Sequence, residues 1–172
     1  MHHLNVRKAV WRDLPCILAV YNQGIEDRMA TLEEDSKNID DMESWFQEHQ
    51  GRYSVLVAET EGKIAGWAAL NPYSHRCAYQ GVADLSIYVD RSCRGKGVGR
   101  LLLQALEKTA KENSFYKIVL FTFPFNKLGQ HLYAKMGYRQ VGIFKNQGRL
   151  DGRFVDVMAM EKLLQDEGPS EL

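Results

Sequence analysis

The sequence has no surplus of charge of either sign: 22 Lys and Arg stand against 22 Asp and Glu in 172 residues. A neutral balance supplies no global field to gather nucleic acid or anionic lipid, so any basic site has to be local. No apolar run approaches the ~20 residues of a membrane span or follows a charged leader segment. Cysteine is scarce and odd in number. Cys16, Cys77 and Cys93 have neither the pairing of a disulfide framework nor the spacing of metal ligands. His2 and His3 lack a third ligand nearby in sequence and read as terminal residues, not a metal site. These absences together predict a cytoplasmic protein whose partners include no membrane, no nucleic acid and no metal.

What the chain does have is a large apolar fraction, 45%, enough for one substantial core and short for two. A single domain over residues 1–164 is expected, with the polar "QDEGPSEL", residues 165–172, as a disordered tail. "LNVRKAV" alternates like a strand. Asp13 with Pro15 opens a helix whose Ile17, Leu18, Tyr21 and Ile25 share a face. "NIDDMESWFQEH" reads as a helix capped by Asn38, with Ile39, Met42, Trp45 and Phe46 inward. "YSVLVAET" and "KIAGWAALN" form a hairpin about Glu61 and Gly62, and "VADLSIYVD" follows as a strand. A helix with Val98, Leu101, Leu102, Ala105 and Thr109 on one stripe precedes the strand "KIVLFTF". The helix "KLGQHLYAKM" ends at Gly137, and two strands flank a turn at Asp151 and Gly152. The order β α α β β β α β α β β predicts an α/β fold. Its mixed sheet has about seven strands, with helices on both faces.

Between the strand and the long helix lies "RSCRGKGVGR", residues 91–100, a glycine-rich turn of the kind that holds a phosphate. A P-loop would need a hydroxyl residue after Gly-Lys, and Gly99 is followed by Arg100 and Leu101. A dinucleotide fingerprint would need G-x-G-x-x-G, but Gly95, Gly97 and Gly99 are spaced two and two. What remains is R-x-x-G-x-G, running from Arg94 through Gly95, Lys96, Gly97 and Val98 to Gly99, with Arg100 beside it. Its backbone N–H groups converge at the positive end of a helix, beside cationic side chains.

With "SIYVD" before it and "FNKLGQHLYAKMGY" about thirty residues later, this turn resembles that of the GNAT superfamily of acyl-coenzyme A-dependent N-acetyltransferases. The resemblance covers nearly the whole ordered chain. "YNQGIEDRMATLEED", "HRCAYQGVADLSIYVD" and "GRFVDV" are similar to the phosphinothricin and methionine sulfoximine acetyltransferase branch. It implies that the turn holds the pyrophosphate of acetyl-coenzyme A as co-substrate. The edge groups of Ile87, Tyr88 and Val89 would meet the pantetheine arm, and Asn126 would stand at a coenzyme-contacting position. Gly129, one helical turn before Tyr133, would leave a slot for that arm. A homodimer is that family's habit, which the residues themselves do not test.

The resemblance also places Asp84 where the branch has its catalytic glutamate, and Tyr133 where the thiolate departs. An α-amino group with pKa near ~8 is mostly protonated at neutrality, so a base is needed before it can attack a thioester. Asp84 is one methylene shorter than glutamate, which favours removal of the proton through a bridging water. Tyr133 departs from the histidine frequent in the branch. An oxyanion donor is expected near Ile87 or Tyr88, exposed by a bulge. Cys93 has no base marked for it and reads as a bystander. Arg28, Glu33, Asn71, Tyr73, Arg76 and Tyr79 fall in the segments that would wall the acceptor pocket, where Arg suits a carboxylate. The implied partner is a small amine acceptor, of phosphinothricin or methionine sulfoximine type. The alternatives are another amine (a protein N-terminus, an antibiotic amine or a polyamine) or a non-catalytic acyl-coenzyme A sensor.

Overall fold

The computed structural model describes residues 3–165, so the expectations for His2 and for the tail beyond Gln165 lie outside the described residues. Strands β1 (Leu4–Lys8), β2 (Val55–Thr60), β3 (Lys63–Pro72), β4 (Val82–Val89), β5 (Lys117–Thr122), β6 (Arg139–Leu150) and β7 (Arg153–Leu163) form one sheet. Their spatial order is β1-β2-β3-β4-β5-β7-β6. Every neighbouring pair is antiparallel except β4 and β5, which run parallel. The β2–β3 turn places Glu61 and Gly62 at φ 50° and 75°, and the β6–β7 turn places Asp151 and Gly152 at 49° and 74°. Positive φ at both central residues is the condition for a two-residue hairpin that matches strand twist.

Helices α1 (Leu14–Glu26) and α2 (Ile39–Glu48) cover one face, burying Ile17, Val20, Met42 and Phe46 against Val57, Trp67 and Ala69. Asn38 caps α2 in a reciprocal pair with Asp41, so the predicted cap is the observed one. Ile39, in the first turn, is exposed, while Met42 and Phe46 further along are buried. On the other face α3 (Val98–Glu112) buries Val98, Leu102, Leu103, Leu106 and Ala110. The inward stripe is thus rotated from the expected one: Leu101, Ala105 and Thr109 are half-buried, and the row Val98, Leu102, Leu106, Ala110 at i,i+4 is the true seam. Helix α4 (Lys127–Lys135) lies between β5 and β6 in the chain.

Residues alternate across β4, so Ala83, Leu85, Ile87 and Val89 join the α3 core while Asp84, Ser86 and Tyr88 face the other way. β4 pairs with β3 along its whole length, up to Val89 opposite Gly66, but meets β5 only from Val82 to Asp84. β5 instead follows β7 out to Thr122, so the two parallel strands part after Asp84. Gly66 permits the tight β3–β4 approach: a Cβ there would lie 2.8 Å from the Tyr88 carbonyl oxygen and 3.2 Å from the Val89 Cα. Both are backbone atoms that cannot rotate away. Gly66→Ala is therefore expected to lower stability by about 1–3 kcal/mol through overpacking, measured by urea unfolding.

Candidate active site

Where β4 and β5 part, a cleft of about 170 Å³ opens between Asp84, Ser86 and Tyr88 on one side and Leu120 and Thr122 on the other, with Asn126 and Tyr133 of α4 across it. Desolvation pushes the Asp84 carboxyl up to about 7, offset in part by hydrogen bonds from the Asn71 side chain and the Leu85 N–H. Tyr133 is pushed up to about 12, first by burial and then by the negative charge of Asp84. The cleft thus holds a carboxyl poised to gain or lose a proton at neutrality and a hydroxyl that keeps its own. Beyond Asp84 no strand among the described residues pairs with the β5-facing edge of β4, which leaves backbone groups of residues 85–89 open to the cleft. That opening comes from the parting of strands and not from a bulge in β4: the β3–β4 register is continuous, and the irregularity near it is on the β2 side of β3, where Ala58 and Glu59 face Gly66 and Ile64.

At the end of β4 the chain turns through Gly95 (φ 73°) and Gly97 (φ 84°) into α3, with Gly97 as N-cap. Both conformations suit glycine, and a Cβ at either would meet no atom within 4 Å, so the turn faces open space. The N–H groups of Val98, Gly99 and Arg100 lie in the first helical turn and have no intrahelical acceptor. Free N–H groups at a helix N-terminus are a setting that suits a phosphate. The Val98 side chain itself is buried. Arg94 pairs with Asp27 at 2.7 Å and donates to the Val89 carbonyl at 3.1 Å, while Lys96 donates to the Ser92 carbonyl at 2.7 Å. Arg100 is exposed. Asn126 caps α4, accepting from the Gly129 N–H at 3.0 Å. Its amide also fills the room above Gly129, where a Cβ would lie 2.6 Å from Nδ2, so the expected slot is occupied by this side chain.

The predicted acceptor residues separate. Arg28 binds both carboxylate oxygens of Asp151, at 3.0 and 3.1 Å, and the carbonyls of Ile25 and Glu34. Tyr73 and Tyr79 meet edge to face, 6.0 Å apart, in an exposed loop with Arg76. Asn71 stands opposite Asp84 in the β3–β4 register. Glu33 lines a second, larger cavity of about 410 Å³, whose wall also includes Lys37, Trp45, Trp67 and, shared with the cleft, Ser86 and Tyr88. Lys37 reaches Glu33 at 2.9 Å. Trp67 is buried and its indole N–H has no partner among the described residues. Sequence reasoning missed Lys37, Trp45, Trp67 and Ser86. Their apolar periodicity marks the tryptophans as core, and a lone lysine in a polar loop carries no signal.

The model of the acetyltransferase (GNAT) family matches residues 19–138. A Bacillus subtilis protein provisionally named a phosphinothricin acetyltransferase is 34% identical over 162 residues, 94% of this chain and 99% of its own. An L-methionine sulfoximine/L-methionine sulfone acetyltransferase of Pseudomonas aeruginosa is 30% identical, covering 91% of this chain and 92% of its own. A phosphinothricin acetyltransferase from Sinorhizobium meliloti, solved with acetyl-coenzyme A, superposes with a TM-score of 0.90 at 28% identity, over 98% and 94% of the two chains.

The raised Asp84 value has a consequence for stability. A carboxyl whose folded pKa lies near 7 binds a proton more tightly folded than unfolded, so the fold loses stability as pH rises from about 4 through about 7. Asp84→Asn is expected to be more stable than the parent at pH ~8, by up to a few kcal/mol, with the difference vanishing below pH ~4. Thermal unfolding across that range checks the sign.

Proposed function

Because the chain belongs to the GNAT family of acetyltransferases, we propose that it acetylates the amino group of a small amino-acid-like acceptor, of the phosphinothricin or methionine sulfoximine kind, in one direct step. The observation that carries this reading is the pairing of Asp84 and Tyr133 across a cleft that abuts a larger aromatic cavity. Acetyl-coenzyme A, when bound, supplies a thioester that an amine can attack. The N–H groups at the start of α3 hold its pyrophosphate, the free edge of β4 from Ile87 to Val89 receives the pantetheine amides, and Asn126 borders the arm.

Asp84, ionised above about 7, takes a proton from the acceptor ammonium directly or through a water. A β4 N–H near Ile87 or Tyr88 receives the charge that builds on the carbonyl oxygen. Tyr133 gives its proton to the departing sulfur and regains one from solvent. In the larger cavity Lys37 offers a cation to the acceptor's carboxylate while Trp45, Trp67 and Tyr88 enclose its side chain. Glu33 lines the same cavity, which supports its reading as part of the acceptor wall. Arg28 instead ties the loop to the β6–β7 turn, and Tyr73, Arg76 and Tyr79 stand at the outer end of β3. A second reading rests on the lining charges of the same cavity, in which Glu33, Asp41 and Glu48 outnumber Lys37. That balance favours a polyamine or another cationic amine.

An acceptor screen that follows thiol release from acetyl-coenzyme A separates the two. Phosphinothricin, methionine sulfoximine or a free amino acid should be the best acceptor. Fast turnover with polyamines alone would replace the first reading by the second, and no release with any amine would leave an acyl-coenzyme A sensor.

The chemical roles predict distinct pH behaviour. Parent turnover should fall as pH drops through about 7, where Asp84 takes up its proton. Asp84→Asn should lower turnover by ~10²–10⁴-fold, with the deficit shrinking as pH rises and free amine accumulates. Tyr133→Phe should lose about 10-fold, most at high pH, where external proton donors are few. Steady-state kinetics with calorimetric binding of acetyl-coenzyme A, nearly unchanged in both variants, is the check.

A further inference from the structure

Behind Asp84 runs a line of hydrogen bonds that reaches the far end of α2. His49, the residue that ends that helix, is buried and packs on Trp45 with ring centroids 4.4 Å apart and planes tilted by 35°. Its Nδ1 lies 2.8 Å from the Trp45 carbonyl oxygen. A carbonyl only accepts, so Nδ1 carries a proton and donates. Nε2 is then the variable atom of the ring, and it lies 2.7 Å from the side-chain oxygen of Asn71. The other end of that amide, Nδ2, donates to Ser86 Oγ at 2.9 Å, and Asn71 stands opposite Asp84 in the β3–β4 register, where its side chain draws the carboxyl's pKa down.

An amide carries an oxygen at one end and an N–H pair at the other, so whatever His49 demands at one end decides what Asp84 and Ser86 meet at the other. Resting on its reading as the base, we propose that His49 and Asn71 are positioning residues, which decide whether the Asp84 carboxyl meets a hydrogen-bond donor or an acceptor. With a proton on Nε2, Asn71 turns its oxygen to the ring and its N–H groups to Ser86 and Asp84, an arrangement that favours the carboxylate. With Nε2 bare, the amide presents N–H to the ring and its oxygen to the cleft. A protonated Asp84 can donate to that oxygen, and a carboxylate is repelled by it. The two arrangements differ by half a turn of the terminal amide torsion and fill the same space. A proton gained at His49 thus promotes loss of one at Asp84 across a neutral residue. Tyr133 from α4 and Tyr88 from β4 are the other titratable groups bearing on Asp84, and burial holds both hydroxyls protonated well above neutrality.

The test is the acid limb of kcat/KM against pH. Asn71→Leu removes the donor to the carboxylate, so the limb should move up by about one pH unit. His49→Phe keeps a ring against Trp45 but leaves the amide free to donate at every pH, so the limb should move down by a similar amount. A purely structural role would lower the rate without moving the limb, and two limbs superposed on the parent's would overturn the proposal. Asp84→Asn separates the two claims. If it leaves the parent limb in place, the base itself is misassigned; if it abolishes the limb while the other two variants leave it unmoved, only the relay fails. The unmodified protein gives an independent reading. The Asn71 side-chain amide and His49 ring-nitrogen resonances should shift together across the acid limb, and resonances of either that stay fixed there would refute the coupling.

Discussion

The shortness of one strand pairing governs the molecule. β4 and β5 share three residues of ladder and then part, because each is committed to an antiparallel neighbour on its other side, β4 to β3 and β5 to β7. The cleft, the open backbone edge of β4 and the exposure of Asp84 to that cleft all follow from this divergence. The cost falls on Asp84, a carboxyl that packing has stripped of water and left with few compensating hydrogen bonds. Stability given up at this one position is what places a proton acceptor in the neutral range.

Much of this was legible in the residues. The element order, both hairpin turns, the Asn38 cap and the turn from Gly95 into α3 are written in local chemistry: which residues tolerate positive φ, which cap helices and which alternate. Asp84 was conspicuous because a carboxylate rarely interrupts an apolar strand. The less legible features depend on contacts distant in sequence. The seam of α3 turned out one position away from the expected stripe, since Leu101, Leu102 and Leu103 in succession allow several apolar faces. The parting of β4 from β5 cannot be read from either strand alone. Lys37 and the two tryptophans of the larger cavity gave no local sign, because their meaning depends on α1, α2 and the sheet coming together.

Two residues show how position in the fold divides duties among similar side chains. Asn126 and Asn71 both present an amide near the cleft. The first is bound to its own helix, accepting from Gly129 and filling the space above it. The second bridges two strands and a helix end, so both of its faces have partners whose needs can change. Arg28 and Arg94 differ in a related way from what their charge alone suggests: each is anchored by carboxylates and carbonyls, and each serves to hold a loop in place.

The Arg28 anchor ties chain segments remote in sequence. Its guanidinium joins the loop after α1 to Asp151 in the β6–β7 turn, and Glu34 from the same loop accepts from the Asp151 N–H. The loop that brings Ala30 to the cleft wall is therefore latched to the β6–β7 turn by ions that face water, the Asp151 side chain being 62% exposed. Dissolved electrolyte weakens such contacts and leaves the apolar sheet beneath them untouched. Ionic strength is thus a means of loosening the loop beside the cleft while the sheet stays rigid.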